Sequence, residues 1–169
     1  TSVGFEGKSL RRNAPSLLNV ALQDSFQRDG AKASLETQVW GPLLAADEMA
    51  NGDVEGVVER IKTLPDYPEL FEQAFPGDGA GESTIGKALA AFERTLLAGN
   101  SRFDRWYFGA VDDALTAQEK AGFRFFVDAG CGSCHRVADR DALFSDGQFH
   151  NTGVADYVQQ SLRAPVEVQ

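Results

Sequence analysis

Cys131-Gly132-Ser133-Cys134-His135 is the densest chemistry in this sequence. It has the form CxxCH, the attachment signature of a c-type haem. Two thiols one helical turn apart reach the two vinyl groups of a porphyrin and form thioethers. The adjacent imidazole of His135 then sits under the iron as proximal ligand. Cys131 and Cys134 are the only cysteines among 169 residues, too few for a disulfide framework. Two other uses of such a pair are weighed against haem. A thioredoxin-type redox pair wants a preceding strand and a βαβ pattern, and neither is read here. A zinc site from Cys131, Cys134, His135 and His150 sets two ligands side by side and one far off, which matches no usual structural spacing. Haem c is the expected cofactor. Because haem c is attached outside the bacterial cytoplasm, the expected compartment is the periplasm.

The sixth position on the iron decides between electron transfer and reactivity. The sequence has one Met, Met49, and one further His, His150. Met49 is distant in sequence and reads as packing. His150 follows Phe149 in a turn-rich loop, where it either approaches the haem edge or caps the loop. No distal ligand is evident.

The elements that must position this motif read as helices, and the fold class expected is all-α. Thr116-Ala117-Gln118-Glu119 fits a capping box. The helix it opens carries Phe123, Phe126 and Val127 and stops at Gly130; its Phe123, Phe125 and Phe126 would cover the porphyrin. Earlier, Ser34 is placed to cap a helix through Leu35, Val39 and Trp40, halted by Gly41-Pro42. Val54, Val57, Val58 and Ile61 recur at helical spacing until Leu64-Pro65. A short helix is expected over 68–75. Ser83 precedes the stripe Ile85, Ala88, Leu89, Phe92 and Leu96, with Gly99 as its stop. From Asp139 the chain reads as loop. Gly and Asp interrupt the pattern between Gly109 and Thr116, which divides the chain into 1–110 and 111–169.

Composition sets the outer bounds. Sixteen basic against twenty-five acidic residues give a net charge of −9. An acidic surface repels a nucleic-acid backbone or an anionic membrane, so neither is an expected partner. No apolar run approaches the ~20 residues of a membrane span. The chain opens Thr-Ser-Val-Gly without a Met, which suggests a processed start or a piece of something longer.

Beyond the CxxCH motif, an ordered series of segments is similar to the bacterial di-haem cytochrome c peroxidases. Arg12-Asn13-Ala14-Pro15-Ser16-Leu17-Leu18-Asn19-Val20 resembles the run that follows that family's first haem. Asp29-Gly30, Ser34-Leu35-Glu36-Thr37-Gln38, Gly41-Pro42-Leu43 and Glu48-Met49 follow in family order. So do Ala91-Phe92-Glu93-Arg94-Thr95-Leu96, Phe103-Asp104-Arg105 and the run from Leu143 to Val154. The methylamine-utilisation maturase, which oxidises a protein, belongs to the same superfamily.

The resemblance implies two cytochrome-like helical domains. The first would hold a peroxidatic haem that reacts with hydrogen peroxide; the second, on Cys131, Cys134 and His135, would pass electrons to it. Only the second haem motif is present, so the chain is expected to be the middle of a longer protein, with the other haem c attached outside it. Gln38 and Glu48 match the family's distal pair over the peroxidatic haem, where Glu would move protons during peroxide cleavage and Gln would orient the peroxide. Asn13 matches a position that helps bind calcium, for which an amide oxygen is suited. Arg28 stands where the family often carries a Trp that bridges electrons between haems, and an Arg is not oxidised at usable potential. The implied partners are hydrogen peroxide and a small electron donor, a cytochrome c or a cupredoxin; a homodimer is left open. The alternatives are a mono-haem electron-transfer cytochrome and an enzyme that oxidises a protein substrate.

Overall fold

A computed structural model describes residues 2–154. The chain divides into two compact units, Thr1–Gly99 and Asn100–Gln169. Among the described residues the regular elements are helices, with two isolated β-bridges, Val3 to Ser9 and Phe26 to Lys32.

The first unit carries α1 (Leu35–Gln38), α2 (Trp40–Leu44), α3 (Val54–Thr63), α4 (Tyr67–Ala74) and α5 (Glu82–Thr95). The Ser34 hydroxyl opens α1 by accepting the Thr37 N–H at 3.3 Å, and Asp53 opens α3 by accepting the Gly56 N–H at 2.7 Å. Leu35, Val20, Phe26 and Ala90 form the buried core. They pack α1 against α5 so closely that a Cβ on Gly86 would sit 2.7 Å from the Glu36 carbonyl oxygen. An Arg94–Glu36 ion pair at 2.8 Å joins the same two helices. It is half exposed, so its worth is only about 0–1 kcal/mol.

Three readings of the sequence change here. Gly41-Pro42 does not halt a helix: both residues lie in the first turn of α2. Proline is tolerated there because first-turn N–H groups have no intrahelical partner. α5 begins after Gly81 rather than Ser83, because the buried Thr84 hydroxyl accepts the Gly81 N–H at 2.8 Å and donates to the Gly79 carbonyl at 2.7 Å. The third change is a short helix in the second unit, α6 (Arg102–Tyr107), which the sequence pattern did not suggest.

Ser101 and Asp104 cap α6 reciprocally, at 3.1 and 2.8 Å. Arg102 then fastens it to α7 (Ala117–Asp128). Both terminal nitrogens donate to the two Glu119 oxygens at 2.7 Å, and Nε donates to the Ala114 carbonyl at 3.0 Å. Glu119 also closes the expected capping box with Thr116.

The Arg102 fork, then the Thr116 N–H and hydroxyl, hold the Glu119 carboxyl down to about 2, against an ordinary 4.5. A depressed carboxylate stabilises the fold fully above its ordinary value, and this contribution is lost as pH falls from about 4.5 through about 2. NMR titration of the Glu119 carboxyl should therefore give a midpoint near 2. A midpoint at the ordinary value would mean that the fork does not hold in solution.

Candidate functional site

In the second unit, α7 brings the haem motif to the edge of an aromatic cluster. Phe103 of α6 sits 5.1 Å from both Phe123 and Phe144, ring centre to ring centre. Phe126, one turn after Phe123, reaches the His135 ring at 6.4 Å. Gly130, at φ +79°, then turns the chain out of α7. This is left-handed backbone that glycine adopts without strain. Cys131–Ser133 follow as a single 3₁₀ turn.

A cleft of about 370 Å³ opens here, lined by Tyr107, Phe123, Phe126, Val127, Val137 and His135, with Gly130, Gly132 and Ser133 along it. Cys131 and Cys134 are free thiols in the same turn. Nδ1 of His135 lies 3.0 Å from the Phe144 carbonyl oxygen. A carbonyl only accepts, so Nδ1 carries the proton and Nε2 keeps the lone pair a metal needs. Two thiols, an oriented imidazole and apolar walls fit a covalently held haem. Phe125 is not part of this cover; it is 74% exposed, because it falls on the opposite side of α7 from Phe123 and Phe126.

The Cys134 sulfur, an Asp146 oxygen and a His150 ring nitrogen lie within 4.8 Å of one another. Three ligands are one short of a structural zinc tetrahedron. His150 is held within its own loop, its Nε2 2.8 Å from Asp146 Oδ2. The Gln148 N–H, then His150, keep the Asp146 carboxyl below the usual range.

The first unit holds a second, larger cleft of about 800 Å³, and it gathers residues far apart in sequence: Asn13, Arg28, Gln38, Glu48 and Met49. Gln38 is the last residue of α1. Glu48 lies beyond α2, in a loop folded back on that helix. The Glu48 N–H donates to the Ala45 carbonyl at 3.0 Å, the Met49 N–H to Pro42 at 3.1 Å, and the Asn51 side chain to Leu43 at 2.9 Å. From outside, the Phe5 N–H donates to the Glu48 carbonyl at 2.8 Å. A Cβ at Gly4 would lie 1.9 Å from the Asp47 carbonyl oxygen, so only glycine lets this segment close over the loop. Met49 is 57% exposed and lines the cleft, so it is not the packing residue the sequence suggests.

A family model described as di-haem cytochrome c peroxidase matches residues 1–112, more than half of the chain. The chain belongs to the di-haem cytochrome c peroxidase family. Among curated relatives of this family, it is 41% identical over 155 residues to the methylamine utilization protein MauG of Methylorubrum extorquens, covering 90% of this chain and 42% of that protein. It is 36% identical over 137 residues to the cytochrome c551 peroxidase of Pseudomonas aeruginosa, covering 80% and 39%. The chain thus spans about two fifths of these relatives. Among solved structures, a MauG-like protein associated with microbial copper homeostasis matches with a TM-score of 0.72 at 30% identity, over 89% of this chain and 45% of that one. The all-α, cytochrome c-like fold is therefore that of the di-haem peroxidases.

Some residues at the clefts carry no signal in the sequence. The Phe144 carbonyl that orients His135 is a backbone atom, and any residue type could supply it. Tyr107 and Val137 reach the smaller cleft from segments with no motif. Gly4 and Phe5 support Glu48 across more than forty residues, a distance no local pattern spans.

Proposed function

We propose that this chain is the central part of a periplasmic di-haem peroxidase that reduces hydrogen peroxide with electrons from a small redox protein. The observation that carries the proposal is that Gln38 and Glu48, on either side of α2, line one cleft of 300–1,000 Å³, the usual size of a cofactor site. Both cysteines lie in the other unit, so a haem in this cleft would be covalently held by residues outside the sequence. A haem held there would supply the redox iron at which the peroxide is reduced. Glu48 takes a proton from one peroxide oxygen and returns it to the other, which leaves as water. Gln38 orients the peroxide by donating from its amide. Over a cycle, one peroxide, two electrons and two protons give two waters.

Cys131, Cys134 and His135 hold the haem through which electrons arrive. The side-chain oxygen of Asn13, exposed at the cleft edge, serves as one ligand of a calcium ion whose other oxygens come from elsewhere. One observation favours a second reading, oxidation of a protein substrate: the 41% identity to a MauG protein.

The test uses the full-length protein. Intact mass should show two haems, and peroxide should oxidise a reduced small cytochrome or cupredoxin catalytically. Two haems without that turnover, but with peroxide-dependent oxidation of a protein side chain, would support the second reading. A single haem would overturn both.

A further inference from the structure

Arg28 lines the Gln38–Glu48 cleft, and the reading above gives it no task. Its Nε donates to the Asn13 carbonyl at 3.2 Å. That bond engages one edge of the planar guanidinium. The edge formed by the two terminal nitrogens has no hydrogen-bond or ion-pair partner among the described residues.

Arg12 and Asp29 beside it are already matched, whereas Arg11, on the same cleft, has no hydrogen-bond or ion-pair partner among the described residues. Arg12, on the same cleft, is paired through Nη1 with Asp29 Oδ2 at 2.9 Å. Asp29, beside Arg28 in sequence, also accepts the Ala31 N–H at 3.2 Å, and the Arg12 bond keeps its carboxyl low. The nearest carboxylate in sequence is thus committed to another cation. An open two-nitrogen edge is the shape that takes a carboxylate bidentately. A haem is apolar except for two propionate carboxylates.

We infer that the terminal-nitrogen edge of Arg28 clamps a propionate of the haem in the Gln38–Glu48 cleft. The inference rests on reading that cleft as a haem site. At this position the chain then carries an electrostatic device rather than an oxidisable aromatic. The clamped propionate stays ionised to lower pH, because the cation stabilises its charged form. The fixed positive charge disfavours the more oxidised iron, which raises the potential of that haem.

The test is spectroelectrochemistry on the full-length protein, comparing wild type with Arg28→Gln and Arg28→Lys. In Arg28→Gln, with both haems present by intact mass, the ferric–ferrous equilibrium of the cleft haem should shift toward ferric about tenfold, or about 59 mV for one electron. Its midpoint should also become pH-dependent where a lone propionate titrates, while the wild type stays flat there. Arg28→Lys keeps the charge but not the fork, and should show the new pH dependence with a smaller drop. If Arg28→Gln fails to fold, Arg28→Lys decides alone. Two haems with wild-type midpoints and pH profiles would overturn the clamp and leave the di-haem reading standing. One haem by mass would overturn the di-haem reading and the clamp with it.

Discussion

Glu48→Gln in the full-length protein should cut peroxide turnover by about 10²–10⁴-fold, the usual worth of a general acid–base group. The substitution keeps size and hydrogen-bonding reach and removes only the ability to hold and return a proton. The main-chain bonds that place this loop, from Phe5, Ala45 and Pro42, do not involve the side chain. The Soret spectrum and the thermal midpoint should therefore stay close to wild type. kcat should carry the loss, since the proton moves during bond cleavage rather than during binding. Rapid-mixing absorbance and steady-state donor oxidation would read it. Wild-type turnover in a folded Glu48→Gln protein would reduce this residue to a half-buried loop carboxylate.

How far the sequence reaches depends on the range of each signal. The Thr116–Glu119 capping box and the Ser34 cap act within one helical turn, and both appear as read. The CxxCH motif is equally local, and its imidazole and the residues between its thiols line one cleft with apolar walls. Gly41-Pro42 misleads because the same dipeptide that ends a helix also fits a first turn, and only packing decides which. α6 is too short to show a period, and its anchor, the Arg102–Glu119 fork, spans seventeen residues.

The larger cleft is legible only through resemblance to a family. Nothing local in Gln38 or Glu48 distinguishes them from a helix-surface amide and a loop acid. Their common cleft is shaped by the end of α1 at Gln38, the fold-back through Asn51 and the glycine at position 4. Each is a long-range or backbone effect, and together they make two ordinary side chains neighbours of one cavity.

Cys134→Ala in the full-length protein should remove the haem of the second unit. The CxxCH motif attaches its porphyrin as a unit through both vinyl groups, so without Cys134 the attachment is not made, and the turn from Cys131 to Ser133 offers no other anchor. The cleft is open and only about 370 Å³, so its walls alone would not retain a free porphyrin. Intact mass should fall by one haem, leaving the haem of the other cleft in place. The kinetic result should separate the two sites. Peroxide should still react at the remaining haem in a single turnover, whereas catalytic oxidation of the reduced donor should fall to background, because electrons no longer have a way in through His135. Val127→Ala, a milder change in the same wall, should keep both haems and most of the turnover. An unchanged mass in Cys134→Ala, or zinc in place of haem in the wild type, would refute the assignment of Cys134 as a thioether. Full donor turnover after the loss of that haem would instead show that electrons reach the peroxide site by another route.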